Sequence, residues 1–353
     1  MPQDQPPNRD VTIFAPSPIL TITVEDHPAG DEIHVHAGGQ GVWQARMLRR
    51  LGSSVTMCCV LTGETGVVLR HLLRDEGFAV EAVERAGRGA AYIHDRRSGE
   101  RRAVATEEGD PLSRHELDEL YGIVLRSALG SAVTILSGPA DDATLPPDTY
   151  RRLAADLRAA GAVVVADLAG PRLDAAVEGG VLALKVSHEE LQADGLLEGE
   201  DEAAIIEAAR VLRERGAENV IVTRASEPLL LLDAEGVLEV APPRLEVADH
   251  RGAGDSLFAG VVSGLARGEP VREAVTLGAA AGALNVTRHG LGSGDAEAVA
   301  RLRERVATRA RAAAAVPDDG VTGRVSPEGL ASLAHQQEAD EREGLTAEPE
   351  ALS

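Results

Sequence analysis

Lysine is almost missing from this chain: of 35 basic Lys and Arg residues in 353, only Lys185 is a lysine. A phosphate-binding loop of the Gly-x-x-x-x-Gly-Lys-Ser/Thr type needs a lysine behind glycines. Lys185 lies instead in Leu182-Ala183-Leu184-Lys185-Val186-Ser187, which has no glycine, so that class of nucleotide site is excluded. No His-Arg-Asp loop or Asp-Phe-Gly accompanies this lysine strand, which excludes a protein-kinase machinery as well. Aromatics are 2% of the residues, so Ala, Val and Leu must fill the core. The two cysteines, Cys58 and Cys59, are neighbours and cannot staple distant segments, which excludes a secreted disulfide scaffold. No run of about 18 apolar residues is present to cross a membrane, and Met1 to Asp10 lacks the pattern of a signal peptide. Positive charge is also in deficit. With 57 acidic residues the formal net charge is −22, which argues against nucleic acid or an anionic membrane surface as partner. The chain reads as cytoplasmic.

What is present is a regular alternation. Residues 11–24 and 33–37 read as strands, and Gly38-Gly39-Gln40-Gly41 opens a helix through about Leu51. Strand 54–62 is followed by a Gly-Glu-Thr-Gly turn and a helix over 67–77, and 91–95 with 102–106 reads as a hairpin around Ser98-Gly99. Strands at 132–138, 162–168, 181–187, 219–225, 229–234 and 238–243 then alternate with helices at 148–160 and 202–215, and a short helix follows the second of these strands. Helices at 254–266, 270–287 and 294–314 close the pattern. Strands alternating with helices of this length predict a three-layer α/β/α domain around a mostly parallel sheet. The antiparallel pieces, within about 17–37 and 90–106, predict a small β lid over its carboxyl edge. Residues 1–10 and the acidic tail 313–353 read as disordered, and 11–312 as the folded domain.

The strongest local feature is Asp249-His250-Arg251-Gly252-Ala253-Gly254-Asp255, where a strand pair ends and a helix is expected to begin at about Asp255. Glycines there leave backbone N–H groups unobstructed, and a helix N-terminus adds partial positive charge, so the segment suits an anion. Asp255 beside it suits a base that accepts a hydroxyl proton during phosphoryl transfer.

These residues resemble the signature of the ribokinase-like, or PfkB, carbohydrate kinases, over roughly residues 11–310. Gly38-Gly39-Gln40-Gly41 resembles the family's Gly-Gly-Lys-Gly helix start, and Thr62-Gly63-Glu64-Thr65-Gly66 its strand-to-helix turn. Ser137-Gly138 resembles its Ser-Gly, and Lys185-Val186-Ser187-His188-Glu189-Glu190-Leu191 its Lys-Pro-Asn-x-x-Glu-Leu. Thr223-Arg224-Ala225 stands where the family has a Thr-x-Gly nucleotide loop. The opening Thr-Ile-Thr-Val and Ser98-Gly99-Glu100 look most like the 1-phosphofructokinase and tagatose-6-phosphate kinase branch.

The resemblance implies transfer of the γ-phosphate of MgATP to a hydroxyl of a sugar or sugar phosphate. It makes Asp255 the base and the backbone of Gly252, Ala253 and Gly254 the anion hole. Glu190 would hold Mg²⁺ through water; Ser187, Thr223, Arg224 and Gly254 would line ATP; Asp249 would help hold a monovalent cation such as K⁺. Gly38, Gly39, Gln40, Trp43, Arg88 and Asp255 would line the acceptor, and the lid would pair two copies into a homodimer.

Departures from the pattern gather on the acceptor side. The substrate aspartate appears as Thr21, the lysine as Gln40, an asparagine as Trp43, and the lid's Arg-Thr-Asn-x-Lys as Arg88-Gly89-Ala90-Ala91-Tyr92. On the nucleotide side, Ser187 replaces an asparagine and Ala225 a glycine. A nucleoside kinase, with Trp43 or Tyr92 stacking on a base, and a non-catalytic sensor are the rival readings. Three bland expectations complete the analysis. Lys185 reads as a sheet-edge residue, His34 and His36 as strand residues without a third metal ligand, and the arginines at 96, 97, 101 and 102 as a solvated face.

Overall fold

The computed structural model describes residues 9–99, 101–139, 144–199, 201–287, 292 and 294–311. The segments expected to be disordered lie outside the described residues, apart from residues 9 and 10. The chain enters on β1 (Asp10–Phe14) and leaves for the lid on β2 (Ile19–Glu25) and β3 (Glu32–Gly38). It returns through α1 (Gln40–Arg50), β4 (Ser54–Thr62), α2 (Gly63–Asp75) and β5 (Ala79–Arg85), and completes the lid with β6 (Ala91–Asp95) and β7 (Arg102–Glu107). Alternation follows: α3 (Arg114–Ala128), β8 (Val133–Ser137), α4 (Asp148–Ala159), β9 (Val164–Asp167), α5 (Gly170–Gly179), β10 (Val181–Ser187), α6 (His188–Ala193), α7 (Glu202–Arg215) and β11 (Ala217–Arg224). Two strands, β12 (Glu227–Asp233) and β13 (Gly236–Ala241), precede α8 (Ala253–Leu265), α9 (Val271–Asn285), α10 (Ala296–Arg303) and β14 (Ala307–Arg311).

Ten strands form one sheet in the order β14-β13-β12-β11-β10-β9-β8-β1-β4-β5. From β11 to β5 every pairing is parallel, and β12, β13 and β14 add an antiparallel margin. Parallel strands covered on both faces need side chains that are apolar on both sides, and β8, β9 and β10 are almost wholly buried. Successive residues therefore serve opposite layers. Phe14 and Cys58 pack with α3, α4, α5 and α7, while Ile13, Met57 and Cys59 pack with α1, α2, α8 and α9. Both thiols are buried, and burial pushes Cys58 up to about 11 and Cys59 higher still. The close contact of α8 on α9 depends on glycine, because a Cβ at Gly260 would sit 2.7 Å from Gly278 Cα.

The lid is a four-stranded sheet, β3-β2-β6-β7, in which β2 and β6 run parallel. Among the described residues no helix is long and apolar enough to cross a membrane.

Local expectations are corrected in several places. The Gly-Glu-Thr-Gly segment is the first turn of α2 rather than a turn before it. The helix expected over 294–314 stops at Arg303, and Ala307–Arg311 pairs with β13 instead. The open edge of β13 supplies the backbone partners, and Arg311 pairs with Glu202 and Glu239. Strand β5 and helices α3 and α6 were not anticipated; the latter two begin with capping boxes, Ser113–Glu116 and Ser187–Glu190.

Candidate active site

Ser137, Asp167 and Ser187 are the last residues of β8, β9 and β10, so three adjacent parallel strands deliver polar side chains to one edge. Open α/β sheets bind ligands at this carboxyl edge. The glycine turn arrives over it from the other side of the chain. Gly252 adopts φ +68, the left-handed conformation glycine tolerates, and caps α8, which starts at Ala253, two residues earlier than expected. First-turn N–H groups have no acceptor within their own helix and are free for an anion. Asp249 shapes the approach by accepting the Arg251 N–H at 3.0 Å, and Asn285 holds it in place. The buried Asn285 donates to the Arg251 carbonyl at 2.7 Å and accepts from Ser256 Oγ at 3.0 Å.

Directly beneath the turn lies Lys185. A Cβ added to Gly254 would meet Lys185 Nζ at 3.3 Å. Far from being a sheet-edge residue, Lys185 is buried in the middle of the sheet, with Nζ 3.0 Å from Asp167 Oδ1. Asp167 Oδ2 accepts from Gln44 Nε2 at 2.9 Å, and Gln44 Oε1 accepts from Ser137 Oγ at 2.5 Å. Tyr150 ends this brace by donating to the Ser137 carbonyl at 2.9 Å. Burial opposes the Lys185 charge, but Asp167, Glu190 and Asp255 outweigh it and hold the ammonium protonated above its usual range. Burial likewise pushes the Asp167 carboxyl up, against the pull of Lys185. Asp255, partly exposed in the cleft, is pushed up to about 7 by its enclosure and by the carboxylates of Asp167 and Glu190, with Lys185 pulling the other way. A base poised near neutrality suits proton transfer at physiological pH.

On the nucleotide side, Ser187 caps α6 by accepting the Glu190 N–H at 3.1 Å, and Glu190 Oε2 accepts the Ser187 N–H at 2.7 Å. Serine and asparagine cap equally well, so the change from the family's asparagine keeps the helix cap. Thr223 sits beside Ser187 in the β10–β11 register. Arg224 donates to Glu202 and to the Pro228 carbonyl. Ala225, in place of the glycine, has φ +45.

On the acceptor side, Gly39 precedes α1 at φ +102, and Gln40 Oε1 accepts the Gly138 N–H at 2.9 Å. A Cβ at Gly38 would run into Thr21 Oγ1, so the threonine hydroxyl faces the lid's base. Trp43 is half-buried on α1, one turn before Arg46, whose guanidinium donates to the Ala37 carbonyl. Arg88 is exposed and pairs with Asp110 at 2.9 Å. Tyr92, a stacking candidate for a base, already carries the Arg101 guanidinium 4.8 Å above its ring centroid. Arg97 and Arg102 are solvated as expected, whereas Arg96 is largely covered and Arg101 half-buried.

Comparison with known proteins matches residues 8–298 to the pfkB family carbohydrate kinases. This chain belongs to that family. As a pfkB kinase it is a phosphotransferase, and the relatives it matches include phosphofructokinases. It is 28% identical to 1-phosphofructokinase of Bacillus subtilis, over 73% of this chain and 84% of that protein. It is 30% identical to ATP-dependent 6-phosphofructokinase isozyme 2 of Mycobacterium tuberculosis, over 76% of this chain and 80% of that one. Phosphofructokinase-2 of Escherichia coli, solved with potassium, superposes with a TM-score of 0.74 at 26% identity, covering 84% of this chain and 99% of that structure. The three-layer fold and the family expected from the motifs are thus borne out. Sequence reasoning missed Gln44, Asp167 and Asn285, which meet Ser137, Lys185, Arg251 and Ser256 only through the fold.

Proposed function

We propose that this kinase transfers the γ-phosphate of ATP to a hydroxyl of a sugar or sugar phosphate, with Asp255 as the base. The observation that carries the proposal is the stack of the Gly252–Gly254 turn, Asp255 and the braced Lys185–Asp167 pair where the central strands β9 and β10 end. Asp255 takes the acceptor's proton while the free N–H groups of the turn stabilise charge on the transferring phosphoryl group. Lys185, fixed by Asp167, supplies a positive charge under the same turn.

Three carboxylates, Asp167, Glu190 and Asp255, surround that single lysine, an excess of negative charge that fits a divalent cation. Among the described residues no group of three or more His, Cys, Asp or Glu forms a direct metal cage. Glu190 is the residue to hold Mg²⁺ through water, since only its Oε2 is used by the α6 cap. When bound, the ion neutralises phosphate charge. Ser187 and Thr223 are the nucleotide-lining residues we retain, and Arg224 is held by Glu202 instead. A potassium ion at Asp249 would share that carboxylate with Arg96 at 3.9 Å and Arg251 at 4.0 Å, so we expect weak dependence on K⁺.

One lid face bears exposed Ile33 and Val35, which supports pairing of two copies through the lid. Escherichia coli phosphofructokinase-2 has a tetrameric inhibited form. The free thiols suit a reducing, cytoplasmic setting.

The test is ADP release from MgATP across sugars, hexose 1- and 6-phosphates and nucleosides, in potassium and in tetramethylammonium chloride. Turnover on a sugar or sugar phosphate that falls by about a thousandfold in Asp255→Asn is the expected result. Turnover that survives in this variant would remove Asp255 as base.

A further inference from the structure

The turn that follows Thr223 is held in shape from outside. Thr223 lies beside Ser187 in the β10–β11 register, and its carbonyl is 3.4 Å from His188 Nδ1. The chain then reverses through Arg224, Ala225 and Ser226 into β12. Ala225 takes φ +45, a conformation that suits glycine, so the reversal is not secured by its own backbone preference. A disfavoured residue of this kind persists where its surroundings over-determine it.

Those surroundings centre on one carboxylate. Arg224 Nε donates to the Pro228 carbonyl at 2.6 Å, which ties the two arms of the turn together. Arg224 Nη1 donates to Glu202 Oε2 at 2.9 Å, and Glu202 is the first residue of α7. The other oxygen of Glu202 pairs with Arg311, the last residue of β14, and Arg311 also pairs with Glu239 on β13. Arg224, Glu202, Arg311 and Glu239 thus form a chain of alternating charge from the turn to the C-terminal strand. Only 11% of the Arg224 side chain and 32% of Glu202 are exposed, so water screens this pair less than an open surface pair. Burial opposes the Glu202 charge, but the two guanidiniums outweigh it and hold the carboxyl below its usual range.

We propose that Glu202 is a positioning residue for the nucleotide: by holding Arg224 it fixes Thr223 and Ala225 in the conformation that receives ATP, with β14 as part of the support. The inference rests on the reading above that Ser187 and Thr223 line ATP, and it adds residues that touch no part of the ligand. Two roles for Arg224 make opposite predictions. Where Glu202 positions the turn, neutralising it loosens Thr223 and weakens nucleotide binding. Where Glu202 instead withholds Arg224 from ATP, neutralising it frees the guanidinium and tightens binding.

The test compares the parent chain with Glu202→Gln, Glu202→Asp, Arg224→Gln, Arg311→Gln and the double variant Glu202→Gln/Arg224→Gln, each checked by thermal melting. Affinity for the magnesium complex of a non-hydrolysable ATP analogue is measured by calorimetry without acceptor. KM is measured for ATP and for the acceptor that supports ADP release. Glu202→Gln should weaken analogue binding about five- to twentyfold, with a smaller loss in Glu202→Asp and in Arg311→Gln. The double variant should lose no more than about twofold beyond Glu202→Gln, because the two residues act as one unit. KM for ATP should rise in step while KM for the acceptor stays within about twofold. If Glu202→Gln does not fold, the half-exposed Arg311→Gln carries the test. Analogue affinity equal in parent and folded variants would overturn the positioning role, and a melting temperature lowered on its own would make the clamp purely structural. Tighter binding in Glu202→Gln would overturn it as well. No binding to the parent would overturn the ATP reading together with the inference. Glu202-dependent binding without turnover on any acceptor would overturn the kinase reading and leave the positioning role standing.

Discussion

Two polar clusters adjoin the segment that opens α8, and they are built on opposite principles. Under the glycine turn, Lys185, Asp167, Gln44, Ser137 and Tyr150 form a continuous brace in which each named contact is 3.0 Å or less. On the lid, Arg101 Nε and His94 Nδ1 are buried without a partner, and Arg96 and Arg251 share Asp249 at about 4 Å. The first cluster is satisfied before any ligand arrives, which keeps a catalytic group in a fixed position and its charge environment constant. The second keeps two buried polar atoms without a partner.

Three measurements would sharpen or break this contrast. The largest effect is expected from Lys185→Met, which leaves Asp167 as a buried, uncompensated carboxylate. Chemical denaturation should show a loss of about 3–5 kcal/mol. Lys185 also lowers the Asp255 pKa, so the acid limb of kcat/KM, near pH 7 in the parent, should move to higher pH. A variant as stable as the parent would mean that the brace is not the structural element described here.

A smaller effect, of opposite sign, is expected from Asp255→Asn. The Asp255 carboxyl is raised in the folded protein to about 7 from 3.8, so ionising it disfavours the fold. That penalty is absent well below pH 4, grows as the pH rises toward 7, and is constant above. The asparagine variant should therefore melt above the parent at pH 8, with a narrower gap at pH 5. Coincident melting curves at both values would show that Asp255 carries no such strain.

The smallest change is expected from Ala225→Gly in the β11–β12 connection. Ala225 has φ +45, where a Cβ is disfavoured. Glycine should gain about 0.5–1 kcal/mol, read as a rise of about 1–2 °C in melting temperature. A fall would mean that local packing of the alanine methyl outweighs the backbone strain.

Much of the fold was legible because its signals are local. The strands of the parallel sheet are short apolar runs bounded by glycine, and the lid hairpin announces itself at Ser98-Gly99. Helices α3 and α6 were missed although Ser113–Glu116 and Ser187–Glu190 are capping boxes visible in the sequence. Strand β14 left no comparable trace, because what selects it is the open edge of β13 and the distant carboxylates of Glu202 and Glu239. Lys185 was misjudged for the same reason: an apolar run does not tell a central strand from an edge strand.

The sequence by itself determined the glycine turn, the aspartate that follows it and the family they belong to. Backbone freedom at Gly252 and the start of a helix are properties of adjacent residues. Only the tertiary structure decided which charges are paired. Asp167 and Gln44 are 123 positions apart, and Arg96 meets Asp249 only where the lid reaches the α8 turn. A charge's energy depends on its burial and on the few ångströms to its neighbours, and segments remote along the chain set both.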